Sequence, residues 1–422
     1  MGILKKYKKN LLFRVIGYTG TAGVVRLLVG LVSQKAIAVF VGASGLALMA
    51  NLRNLLEVLS SFSSLGTKNG LIAEAAATKD ALSLKSLLNS IVSLFFGASI
   101  LIALLLFWQQ EWITSQLFFG ESFGSLFLAI LFAVPFMGLM VLIESILTGK
   151  KSFKAVSNLQ LITASITAVF MIVLLWLYGL KGGICAILLR PIFGALLCFF
   201  YFKSSIYKSI IPNAFEFNIS KVKALFPYMA MTVVSVGFVH AIELGLRTLI
   251  SIKIDVASAG FWTAMNAISS NYFIFITAVF SLYVLPRYSE QNSEFQLLDE
   301  SKDILKTLLP IVTFGMIMIY LFREPLTKLL FTVDFIGITS LFKWQLTADW
   351  FRVIFLVFAY YLVAKKRLVD FFIVEIFSFS TLICVSILLI DDYGIEAIVI
   401  ANAIRYVGCL ILVVFLLRNK LK

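Results

Sequence analysis

Histidine is nearly absent from this chain: His240 is the only one in 422 residues. The four cysteines, Cys185, Cys198, Cys384 and Cys409, lie apart inside apolar runs and form no C-x-x-C or Cys/His cluster. Those absences exclude a sequence-encoded zinc site, a disulfide framework and a dithiol redox motif, and no metal site is expected. Charge is scarce too, at 14% of residues, and no Pro-, Gly- or Ser-rich linker or low-complexity tract marks off a soluble domain. Large outer loops are also missing. The longest, about 323–339, holds no more than a small surface helix. An enzyme that polymerises or ligates sugars outside a membrane needs more outer structure and catalytic groups, and none stand out. A channel is disfavoured because no filter-like loop is present. A non-enzymatic membrane protein is expected.

What the chain has in abundance is hydrocarbon. Hydrophobic residues make up 61% of it and its mean hydropathy is +1.00. A helix needs about 20 mostly apolar residues to cross a bilayer, and such runs recur along the whole sequence. Spans are predicted near 11–41, 44–66, 87–108, 123–148, 154–178, 182–202, 223–252, 257–285, 305–322, 340–363, 368–390 and 393–417. The basic start, MGILKKYKKNLLFR, is followed by no small-residue cleavage site, so it is expected to lead into a retained first span. That span is longer than a bilayer requires and is expected to tilt or bend, with Gly17, Gly20, Gly23 and Gly30 permitting it.

The net charge is +14. In a soluble protein this would suggest a nucleic-acid partner; here topology accounts for most of it, and no nucleic acid is expected. Loops carrying Lys5, Lys6, Lys8 and Lys9, then Lys68, Lys79 and Lys85, then Lys150, Lys151 and Lys154, continue the same bias through to Arg418, Lys420 and Lys422. The alternate loops carry few bases and the acids Glu111, Glu121, Asp391 and Asp392. By the excess of Lys and Arg on the inner side, both termini are cytoplasmic and the number of spans is even.

The two halves share landmarks at one constant offset in numbering. Gly45 and Asn51 match Gly260 and Asn266, Lys150-Lys151 matches Lys365-Lys366, Tyr178-Gly179 matches Tyr393-Gly394, and Arg190 matches Arg405. The pattern is a duplication of six spans. An even number of spans makes the repeats parallel, related by an axis along the membrane normal, an arrangement found in transporters. The N-terminal lobe is expected over 1–207 (helices 1–6) and the C-terminal lobe over 208–422 (helices 7–12). Between them, Pro212-Asn213 breaks helix.

Charges inside spans stand out against this background, because each costs at least ~2.5–3.5 kcal/mol at bilayer depth and normally faces a cavity or a partner. The basic set is Arg26, Lys35, Arg53, Arg190, Arg247, Arg352 and Arg405; the acidic set is Glu57, Glu144, Glu243, Asp349 and Glu375. Seven bases against five acids suits an anionic substrate, and the planar guanidinium fork suits phosphate. His240, Glu243 and Arg247 share one helix face by spacing, as do Gln345, Asp349 and Arg352. Arg26 and Lys35 are so spaced that they fall on opposite faces of a straight helix, and they reach one cavity only if Gly30 bends it. Arg53 and Glu57, one turn apart, are either functional or a structural ion pair. Glu144 and Glu57 are candidates for charge compensation. His240 is an interior histidine or a proton carrier. Trp344, Trp350 and Tyr360 either stack on sugars or belong to the interfacial belt.

The segments FVGASGLALMANLRNLLEVL, NAISSNYFIFITAVFSLYVLPRYSE and FKWQLTADWFRVIFLVFAYYLVAKK resemble bacterial O-antigen and enterobacterial common antigen translocases. These are the lipid-linked oligosaccharide flippases, a polysaccharide branch of the multidrug/oligosaccharidyl-lipid/polysaccharide exporter superfamily. The resemblance implies an all-α polytopic protein of about twelve helices, in two pseudo-symmetric six-helix lobes around a V-shaped central cavity. It implies an undecaprenyl-pyrophosphate-linked oligosaccharide as cargo, moved by alternating access from the cytoplasmic to the periplasmic leaflet of the inner membrane. Arg26, Lys35, Arg53, Arg247 and Arg352 match its cavity-lining bases. Asp349 and Glu375 match acidic positions suited to ion coupling, with Glu57, Glu243 and His240 as further coupling or compensating groups. No cofactor is expected beyond a proton or sodium gradient. Besides cargo and membrane lipid, a polysaccharide polymerase and a chain-length regulator are candidate partners. The alternatives are a multidrug or toxin cation antiporter of the same superfamily and a peptidoglycan-precursor flippase.

Overall fold

Runs of about 20 residues rich in Leu, Ala, Phe, Val and Ile, apolar all round rather than alternating as barrel strands do, satisfy their own backbone in a bilayer by becoming helices. The computed structural model describes residues 2–77, 81–118, 124–204, 222–223, 225–280, 284, 288, 295–365 and 367–418, and among them there is no β-strand. The expected lobe boundary at 207–208 lies outside the described residues, as do Lys79, Glu121, Lys208 and Lys366.

The chain divides into two compact units, Met1–Val41 with Leu48–Leu244, and Gly42–Ala47 with Gly245–Lys422. The first contains α1 (Gly2–Ser63) apart from Gly42–Ala47, then α2 (Lys68–Ala77), α3 (Ala81–Trp108), α4 (Gln110–Phe118), α5 (Gly124–Gly149), α6 (Phe153–Ser204) and the first part of α7 (Phe226–Lys253). The second holds the rest of α7, then α8 (Val256–Val279), α9 (Phe295–Leu321) and α10 (Arg323–Leu330). A 3-10 turn (Val333–Ser340), α11 (Leu341–Ala364), α12 (Leu368–Tyr393) and α13 (Glu396–Arg418) complete it. The small α10 and the 3-10 turn occupy the stretch near 323–339 that had room only for a small helix.

Among the described residues, eight helices are long and apolar enough to cross a membrane. Two of them, Gly23–Ser63 and Lys154–Tyr201, are 41 and 48 residues long, and each accommodates two predicted spans. Their breaks lie at Gly42 (φ 65°) and Gly179 (φ 55°), a left-handed conformation that only glycine enters without strain. The remaining two predicted spans coincide with α7 and α8. The break at Gly179 recurs at its repeat partner: Gly394 ends α12 at φ 55°, ψ −136°, beside φ 55°, ψ −135° at Gly179. The repeat seen in letters is therefore also present in backbone conformation.

α3 shows how a span divides into a packed face and a face left for lipid. On α3, Leu84, Leu87, Leu88, Ile91 and Phe95 recur with helical spacing and meet Leu142, Ile143, Ile146 and Leu147 of α5 in the core of the first unit. Ile100, Leu101, Leu104 and Trp108 on the same helix are 59–78% exposed. Water would penalise that surface; hydrocarbon does not. In the second unit α13 packs between α11 and α12. Pro135, Pro191 and Pro310 sit inside helices, as bundles in lipid tolerate.

The short segment Gly42–Ala47 belongs to the second unit because α8 docks on it. A Cβ at Gly260 would run into the Ala43 carbonyl, so only glycine lets the two backbones approach. Asp255 caps α8, its carboxylate accepting from Ser258 N–H at 2.6 Å. Gly260→Ala is expected to destabilise the protein by about 1–3 kcal/mol. Gly315→Ala, with open space around it, serves as the near-neutral control. Thermal unfolding in detergent measures both, and equal midpoints would refute the close-approach role.

Candidate functional site

The break at Gly42 lets α1 contribute twice to one cavity. A pocket of about 620 Å³ opens inside the first unit, with Arg26 from one half of α1 and Arg53 and Glu57 from the other. Lys68 of α2, Glu144 of α5, and Gln160 and Arg190 of α6 complete its ionic and amide lining. Four bases thus face two acids. Ser60, Ser64, Thr163 and Thr167 add hydroxyls, and Met137, Met140 and Val141 add an apolar wall. Such a lining can hold an anionic group with donors while an alkyl or ring surface lies against the side.

One hydrogen-bonded chain crosses this cavity. Arg26 Nη1 donates to Gln160 Oε1, and Gln160 Nε2 donates to Glu144 Oε2 at 3.3 Å. Glu144 lies within electrostatic reach of Lys68, Arg190 and Arg26. Its Oε1 is buried and has no hydrogen-bond partner among the described residues. Further along, Asn54 Nδ2 donates to Glu243 Oε2 at 3.0 Å, tying α1 to α7 within the same unit. His240 Nδ1 is buried with no hydrogen-bond partner among the described residues.

Lys35 is not part of the cavity lining. Gly30 keeps helical geometry, and the only non-helical residue of α1 is Gly42, so α1 is not broken between Arg26 and Lys35. Their spacing along a regular helix puts Lys35 on the face opposite Arg26.

The second unit treats its charges differently. Arg247 is 4% exposed, donates through Nε to Thr263 Oγ1 at 2.9 Å and lies over the Trp262 ring. Asp349 is fully buried, and one of its oxygens, Oδ2, accepts from Ser269 Oγ at 2.7 Å, Gln345 Nε2 at 3.1 Å and the Tyr272 hydroxyl. Arg352, one turn on, lies over Phe273 at 4.1 Å and Tyr406 at 5.7 Å. Glu375 of α12 faces the field of Arg405, which donates to Ser378 Oγ and lies over Phe379 and Tyr406. Trp350 Nε1 donates to Thr313 Oγ1 at 3.0 Å, and Tyr360 packs on Phe280 at 5.0 Å, so both rings serve packing in this structure.

The structure therefore brings together Arg26, Arg53 and Glu57 of the predicted site. It adds Lys68, Glu144, Gln160 and Arg190 to them. Glu243 and His240 lie in the same unit, while Arg247, Arg352, Asp349 and Glu375 belong to the other. Gln160 escaped sequence reasoning because, unlike Gln345, it has no charged residue at helical spacing beside it. The available signal was its repeat partner, Glu375, which the offset relating Arg190 to Arg405 pairs with it.

These features define an all-helical, multi-pass membrane protein with the fold of the superfamily that contains the MATE transporters. A structure of the lipid II flippase MurJ, inward closed, superposes with a TM-score of 0.72 at 19% identity, covering 96% of this chain and 87% of that one. An inward-facing multidrug resistance MATE family transporter of the MOP superfamily superposes with a TM-score of 0.76 at 14% identity, covering 94% and 98%. The chain belongs to the polysaccharide biosynthesis protein family, whose model matches residues 37–340. Among curated relatives, the lipid III flippases of Escherichia coli (strain K12) and Shigella flexneri are each 27% identical over 384 residues, covering 89% of this chain and 91% of theirs.

Proposed function

We propose that this protein is a flippase that carries an oligosaccharide on undecaprenyl pyrophosphate from the cytoplasmic to the periplasmic leaflet of a bacterial inner membrane. Its cargo on this reading is an O-antigen or enterobacterial common antigen repeat unit, and both termini face the cytoplasm, a placement the bias of the loop charges supports. The observation that carries the proposal is the lining of the first-unit cavity, with four bases against two acids. A pyrophosphate brings about two negative charges and many acceptor oxygens, and burying it without counter-charge would be prohibitive. Family membership and curated relatives named as lipid III flippases support the same class of cargo. A cation antiporter calls for an acidic cavity, which this is not.

In this mechanism Arg26 and Arg53 receive the pyrophosphate, and Arg190 and Lys68 supply further positive field. Several moderate contacts, rather than one deep site, let the head group leave as readily as it enters. The energy comes from a proton or sodium gradient, and Asp349 is the coupling group. It is the fully buried carboxylate of the second unit, with Oδ1 lacking a hydrogen-bond partner among the described residues. Glu375 assists it.

Arg26→Ala and Arg53→Ala should each abolish complementation of a flippase-deficient strain while the protein still inserts. Lysine at either position should retain part of the function, because charge is kept and the fork geometry lost. Wild-type surface polysaccharide in both alanine variants would remove the cationic cavity from the mechanism. Asp349→Asn keeps the side-chain shape and should slow gradient-driven transport by about tenfold or more without unfolding the protein. An unchanged dependence on the imposed gradient in Asp349→Asn and Glu375→Gln would exclude both from coupling.

A further inference from the structure

In the cavity of the first unit, Gln160 joins one acid, Glu144, to one base, Arg26, without being either. Gln160 accepts from Arg26 with its carbonyl and donates to Glu144 with its amide nitrogen. No other side chain type of this length does both at once without adding charge: glutamate cannot donate, and lysine cannot accept. In the duplicated half, the residue at the corresponding position is Glu375, which stands in the field of Arg405. One position in the repeat thus carries a neutral amide where the cavity is open and a carboxylate where the neighbouring arginine is stacked and hydrogen-bonded.

We propose that Gln160 is the positioning residue that sets the charge selectivity of the cavity. It fixes Arg26 at the wall and keeps that guanidinium available to an anionic head group, because the group it offers Arg26 is an uncharged carbonyl. It also restrains the Glu144 carboxylate by a hydrogen bond, so the acid does not close onto Arg26 as an ion pair. A carboxylate at 160 would bring the acids facing the four bases from two to three and place the new one directly on Arg26. The inference rests on the proposed role of the cavity as a pyrophosphate site.

The test is equilibrium binding of undecaprenyl pyrophosphate to the purified full-length protein in nanodiscs, comparing wild type with Q160A, Q160E, Q160E/E144Q and R26A. Loss of positioning should weaken Q160A by a few-fold. Q160E should be weaker than wild type by at least about tenfold, since close charge pairs carry that much coupling. Q160E/E144Q, which restores the formal charge of the wild-type cavity, should regain most of the loss, a rescue that structural damage would not produce. Q160E binding like wild type, or a double variant no tighter than Q160E, overturns the inference. If Q160E does not yield folded protein, E144Q alone decides: removing one acid should tighten binding, and unchanged or weaker binding overturns the inference. R26A separates the two levels. Weak binding in R26A with normal binding in Q160E sinks only the role of Gln160, whereas wild-type binding in R26A sinks the anion site itself.

Discussion

A charge placed among hydrocarbon must have company, and the arrangement of this protein follows from that constraint. Water is not available to solvate the five acids and seven bases set within the spans, so each must meet a partner, a ring face or a cavity. The two units meet the requirement in different ways. In the second, arginines lie over aromatic rings and donate to hydroxyls, and the fully buried Asp349 collects three donors. In the first, the bases line an open volume that an anionic group can enter. Duplication supplied two similar frames, and the placement of charge made them unlike.

The backbone carries the same division of labour. Spans are held by apolar faces with helical spacing, while the breaks that divide α1 and α6 into two spans each fall at glycine. Gly42 matters most for the cavity, because the break there turns one long hydrophobic run into two helices that both face it. Arg26 and Arg53 lie on either side of that break in sequence, and only the break makes them neighbours of one space. Gly260 serves the other unit by allowing α8 to seat against the stretch that follows Gly42.

Much of this was legible beforehand. Hydropathy gave the helical class and the positions of the spans, since runs of about 20 residues without strand-like alternation suit a helix and not a barrel strand. The repeat offset was visible in glycines and charges and reappears in the matching torsions of Gly179 and Gly394. The buried ionisable residues announced themselves by cost. What could not be read was grouping. Spacing put Arg26 and Lys35 on opposite faces of a straight helix and left a bend at Gly30 as the way to bring them together; the unbroken helix between them shows that one faces the cavity and the other does not. Gln160 was silent because no charged residue shares its face at helical spacing, and its importance lies in what it touches across the cavity. Lys68 and Ser64 sit near a helix end, where sequence suggests a loop rather than a cavity wall.

The claim on which everything else turns is that the cavity selects its cargo by negative charge. Transbilayer movement in proteoliposomes tests it directly, using the wild-type protein and two fluorescent lipids with the same polyprenyl chain and the same sugar, one joined through pyrophosphate and one through an uncharged linkage. The account predicts protein-dependent movement of the pyrophosphate lipid and, for the uncharged lipid, only the rate seen in protein-free liposomes. Equal protein-dependent rates for both would contradict it.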